Sequence, residues 1–78
     1  MTTKIISAEK LSSADLSKEY VELSELPTGE YQGIWGGYEA IVEIGGVQYR
    51  LKTENGIRAK SAPCVVHIQA GQATIKAG

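Results

Sequence analysis

The stretch 38-YEAIVEIGGVQYRLKTENGIRAK-60 decides the fold of this 78-residue chain. From Tyr38 to Ile44, and again from Val47 to Thr53, apolar and polar residues alternate with the period of a strand that buries one face. Gly45-Gly46 separates the two runs. A two-residue hairpin loop needs positive φ, which glycine adopts without steric cost. With that loop, Ile44 faces Val47, Val42 faces Tyr49 and Ala40 faces Leu51, all on one side. The other side sets Glu43 beside Gln48, Ile41 beside Arg50 and Glu39 beside Lys52. The opposite charges of the last pair favour this register.

The same logic extends in both directions. Upstream, Glu30-Tyr31-Gln32-Gly33-Ile34-Trp35 is expected to meet Tyr38 through a Gly36-Gly37 turn. That turn would put Tyr31, Gly33 and Trp35 on the face of Val42, Ala40 and Tyr38, with Gly33 marking a bulge or tight bend. Downstream, Asn55-Gly56 reads as another turn. A two-residue loop there would pair Glu54 with Ile57 and put Arg58 on the apolar face. A three-residue loop with Gly56 left-handed instead pairs Thr53 with Ile57 and Leu51 with Ala59, keeping both partners inside. Pro63 is expected to interrupt the ladder. Cys64–Gln69 and Gln72–Ala77 then make a last hairpin around Ala70-Gly71. Its inner face carries Cys64, Val66, Ile68, Ala73 and Ile75, and its outer face His67 and Thr74.

The first third is less regular. Lys4-Ile5-Ile6 and Tyr20-Val21-Glu22-Leu23 read as short strands, and Leu26-Pro27-Thr28-Gly29 as a turn. Ser12-x-x-Asp15 has capping-box spacing, which predicts a short helix around residues 12–18. The expected architecture is one domain over 1–78: an irregular acidic segment to residue 29, then a β-meander from 30 to 78. The fold class is mostly β (β or α+β). It is a small antiparallel, strongly bent sheet or a partly open SH3- or OB-like barrel of five to seven strands, with a short N-terminal helix.

Composition excludes several kinds of chemistry. A chain this short buries a modest core and is marginally stable alone, so a homodimer is an ordinary way to gain buried area. Its one cysteine, Cys64, forms no internal disulfide and reads as a small buried apolar residue. His67 is the only histidine and Asp15 the only aspartate, so no catalytic triad or metal site is assembled, and no cofactor is expected. Glu22 and Glu25 lie in a polar stretch and read as solvated. GIWGGY lacks the lysine and following helix of a phosphate loop. No run is long and apolar enough for a transmembrane helix, and MTTKIISAEK lacks the apolar core of a secretory signal, so a cytoplasmic, non-membrane protein is expected.

Charge supplies the functional expectation. The net charge is −1, unevenly spread: residues 1–30 carry three lysines against six carboxylates, and residues 31–78 carry five cations against three. The bulged turn at Gly56 would face Lys52 with Arg58 and Arg50 with Lys60. Like charges opposed across a sheet cost stability, which suggests a use. The expected site is therefore partner-binding: Arg50, Lys52, Arg58 and Lys60, with Ile41 as an apolar neighbour. The expected function is a non-enzymatic protein-binding module, an inhibitor or adaptor that docks an acidic protein surface; its size and lack of catalytic groups give it the general character of inhibitors carried by phages or other mobile elements. Strand addition at a free sheet edge is a second mode of contact. A small-barrel nucleic-acid binder using the same cations ranks lower, because Tyr31, Trp35, Tyr38 and Tyr49 are expected on the opposite, inner face, away from any base. A structural subunit of a larger assembly is the third class.

Overall fold

The computed structural model describes residues 2–11 and 19–78. Five strands, β1 (Thr2–Leu11), β2 (Glu19–Val21), β3 (Gly29–Ile44), β4 (Val47–Gln69) and β5 (Gln72–Ala77), form one antiparallel sheet. The order is β2-β1-β5-β4-β3, and β1 pairs with β4 as well as β5. A single turn of 3-10 helix, Leu23–Glu25, separates β2 from β3. The chain is mostly β, as expected. The sheet is not closed: β2 and β3 stand at its two ends and do not pair, so what is shown is one open antiparallel sheet. The helix expected around 12–18 lies outside the described residues.

Two hairpins have the expected register. Gly45 and Gly46 both have positive φ, and Ile44, Val42 and Ala40 face Val47, Tyr49 and Leu51. At the other end, Gln69 faces Gln72, Ile68 faces Ala73 and Val66 faces Ile75. Here the turn places a non-glycine residue, Ala70, at φ 53°.

The other two glycine pairs are not hairpin turns, and this changes the topology. β3 runs unbroken through Gly36-Gly37, and β4 runs unbroken through Asn55-Gly56. The two strands pair along both halves: Gly29–Trp35 with Ile68–Ala62, and Glu39–Ile44 with Lys52–Val47. Between these halves β3 turns a tight corner while β4 takes the long way round. Gly36 alone opposes residues 58–61, and Tyr38 alone opposes residues 53–56, with Gly37 and Ile57 paired between them. The corner needs Gly37, whose φ is 58°, and Gly36, where a Cβ would overlap the Lys60 carbonyl. We refer to residues 54–61 of β4 as the arch. Pro63 does not interrupt the ladder but stands in register opposite Ile34.

The corner folds the sheet over itself. Trp35, Cys64, Val66, Ile68 and Ile75 from one half join Ile5, Ala8, Ala40, Val42, Ile44 and Leu51 from the other in a single buried cluster. At Gly33 the two halves of β3 meet almost backbone to backbone: a Cβ there would lie 2.5 Å from the carbonyl oxygen of Ile41 and 3.3 Å from Cβ of Val42. Gly33 thus serves close approach, one of the uses that keeps a glycine inside a strand. Asn55 ties the arch to β1, its backbone N–H and Nδ2 both donating to Oγ1 of buried Thr3, at 3.2 and 3.1 Å. Tyr31 fixes the turn before β3 by donating its hydroxyl to the carbonyl of Pro27, 2.9 Å away.

Candidate functional site

The corner decides where the charges go. Gly56 is not left-handed, so the bulged turn does not form, and Lys52 does not face Arg58, nor Arg50 Lys60. The expected four-cation cluster divides into two pairs.

Arg50 and Lys52 sit on the first arm of β4, between β1 and β3. Arg50 stands opposite Ile41 on one side and Glu9 on the other; Lys52 stands opposite Glu39 and Ser7. Nε of Arg50 lies 3.8 Å from Oε2 of Glu39. A long, half-exposed pair of this kind is worth no more than about 1 kcal/mol. Its consequence is electrostatic: Arg50 is flanked by carboxylates from both neighbouring strands. Glu9 is buried, and its Oε2 has no hydrogen-bond partner among the described residues. Ile41 is half-buried on this face, as its register requires.

Arg58 and Lys60 are different. They lie in the arch, where Arg58, Ala59, Lys60 and Ser61 are all exposed. No described carboxylate forms an ion pair with either. Beside them stands Tyr38, which the hairpin reading had turned inward. Tyr38 is 65% exposed, and its ring lies against Gly56, where a Cβ would come within 3.0 Å of it. Gly56 is therefore a platform for an aromatic ring. Trp35 is fully buried as expected, and Tyr31 and Tyr49 pack partly against the core. The signal that would have exposed Tyr38 is the glycine pair at 36–37, once read as a corner in one strand.

Elsewhere the chemistry is spare. Cys64 is buried, and burial pushes its thiol pKa up, against a smaller opposing effect of the Gly33 backbone. His67 is exposed, between Glu30 and Thr74. Among the described residues no three His, Cys, Asp or Glu side chains gather as a metal site. No helix among them is long and apolar enough to cross a membrane. Comparison with protein-family profiles, curated proteins and solved structures finds no match for the chain.

Proposed function

We propose that this chain is a non-enzymatic protein-binding module whose contact surface is the arch of β4 with the Tyr38 ring beside it. The observation that carries this reading is the exposure of Arg58 and Lys60, free of described carboxylate partners, next to an exposed tyrosine seated on Gly56. Tyrosine and arginine are enriched among residues that dominate binding energy. Arg58 and Lys60 select for carboxylates, so the partner offers an acidic surface. Arg50 and Lys52 play the smaller part, since Glu9 and Glu39 offset their charge before any partner arrives. An inhibitor or adaptor acting in a reducing, cytoplasmic setting fits a chain of this size whose one cysteine is buried and free.

The test is affinity capture from host lysate with the wild-type chain, an Arg58→Glu/Lys60→Glu variant and an Arg50→Glu/Lys52→Glu variant. Each is first shown to be folded at the capture temperature, since reversal at Arg50, beside Glu9 and Glu39, is expected to lower the melting temperature. The arch variant is expected to lose the captured protein and the other to retain most of it. Equal capture by the arch variant and wild type refutes the reading.

One observation favours a second reading. Exposed Tyr38 beside two cations is the combination that stacks a base and contacts phosphate. Retention on a mixed-sequence oligonucleotide at low salt, fading steeply as salt rises, would establish it; no retention at low salt disposes of it.

A further inference from the structure

A second surface lies along β1, at the β2 end of the sheet. Thr2–Lys4 pair with β5, and Ala8–Lys10 pair with β2. Between them Ile6 is the one residue of β1 with no partner in any ladder, because the register with β4 shifts between Ile5 and Ser7. A bulge of this kind re-aims a side chain, and here it turns Ile6 outward to 61% exposure. A cleft of about 480 Å³ opens at that point, lined by Ile6, Tyr20, Val21 and Leu23, with Ser24 and Gly71 also on its wall. Ile6 and Tyr20, the latter 72% exposed, are two of the four large apolar residues exposed among the described residues. Both face the same opening.

The charge at this opening is one-sided. Among the described lining residues, Glu22 is the only ionisable acid or base besides the Tyr20 phenol. The cleft's volume falls within the roughly 300–1,000 Å³ of sites that take small ligands or a few side chains.

We infer that the Ile6 cleft is a docking site for an extended segment of a partner protein. That segment inserts one aliphatic side chain against Ile6, Val21 and Leu23 and sets a neighbouring cation beside Glu22. The site is separate from the arch and stands whether or not the arch binds its own partner. Its chemistry is the reverse: the arch selects acidic surfaces, and the cleft selects a basic segment with an aliphatic anchor.

The probe is a capped heptapeptide, Gly-Ser-Arg-Leu-Arg-Ser-Gly, titrated into the full chain and followed by amide chemical shifts. Two companions replace its leucine by serine or its arginines by glutamates. The leucine–arginine peptide is expected to shift Ile6–Ala8 and Tyr20–Ser24 saturably, with Kd on the order of 1 mM. Each companion is expected to bind about tenfold more weakly or worse. Ile6→Ser, at an exposed position that leaves the core intact, is expected to abolish the shifts, and Glu22→Gln to weaken them. Three outcomes overturn the inference: no saturable shift, equal binding of the serine companion, or shifts centred on the arch. A fourth, cleft amides that move on diluting the chain alone, would make a second copy the occupant and overturn it equally.

Discussion

Gly33→Ala has an effect whose sign depends on how β3 runs. If Gly36-Gly37 were a hairpin turn, Gly33 would be an ordinary strand glycine. Alanine would then stabilise the chain by roughly 0.5–1 kcal/mol, by reducing the entropy of the unfolded state. In the folded-over sheet the same Cβ would lie 2.5 Å from the Ile41 carbonyl oxygen, where real Cβ atoms do not come within 3.0 Å, so about 0.5 Å of movement is required. The obstacle is backbone, held in register opposite Arg50, and the buried Val42 Cβ at 3.3 Å blocks a sideways escape. Overpacking of this kind costs about 1–3 kcal/mol. Set against the entropic gain, a net loss of about 1–2 kcal/mol remains, roughly 5–15 °C in melting temperature for a domain of this size. Thermal melting by circular dichroism, with a urea titration to confirm an unchanged slope, measures it. A melting temperature equal to or above that of wild type would refute the close approach and the corner that produces it.

Gly56→Ala should cost less than Gly33→Ala, because its Cβ meets the exposed Tyr38 ring, which can swing away, and the Gly37 carbonyl oxygen at 3.1 Å, which needs to give by only a few tenths of an ångström; we expect a loss of no more than about 1 kcal/mol, with the ring-current shifts at residue 56 lost. Ala70→Gly should stabilise by about 1 kcal/mol, since it removes a left-handed alanine from the β4–β5 turn, read as a higher urea midpoint. Cys64 predicts a pH effect. Its thiol pKa is raised in the fold, so its contribution is complete below the unfolded value of about 8.5 and is lost as pH rises through the raised native value. Unfolding free energies measured between pH 7 and 10 should therefore fall more steeply for wild type than for Cys64→Ala, and parallel curves would contradict the burial of that thiol.

The parts of this fold that were legible from sequence are those where a turn signal and the alternation on both sides agree. Gly45-Gly46 and Ala70-Gly71 each join strands whose inner residues match pair for pair, and both registers hold. Gly36-Gly37 and Asn55-Gly56 carry equally strong local signals, yet neither makes a hairpin. A glycine with no Cβ serves a turn or a close approach equally well, and only long-range packing separates the two uses. Here Gly36 makes room for the Lys60 carbonyl and Gly56 for the Tyr38 ring, while Asn55, typical of turns, spends its donors on Thr3. β1 left a subtler trace. Its buried positions run Thr3, Ile5, then Ala8 and Glu9, and the step of three from Ile5 to Ala8 marks the bulge that exposes Ile6.

The corner also recasts what the four cations can do. In a hairpin spanning Arg50 to Lys60 they would be equivalent, two like-charged cross-strand pairs whose repulsion a partner could relieve. In the folded-over sheet they divide by environment. Arg50 and Lys52 belong to a sheet face where β1 and β3 supply Glu9 and Glu39 opposite them, so the fold already offsets their charge. Arg58 and Lys60 lie where four residues of β4 pass one residue of β3, a stretch whose side chains are turned to solvent. The geometry that spares β3 a longer loop therefore also lifts two cations away from the carboxylates. Charge reversal at Arg58 should consequently be neutral for stability and severe for binding an acidic partner. Reversal at Arg50 should instead place a third carboxylate beside Glu9 and Glu39 and lower stability before binding is affected.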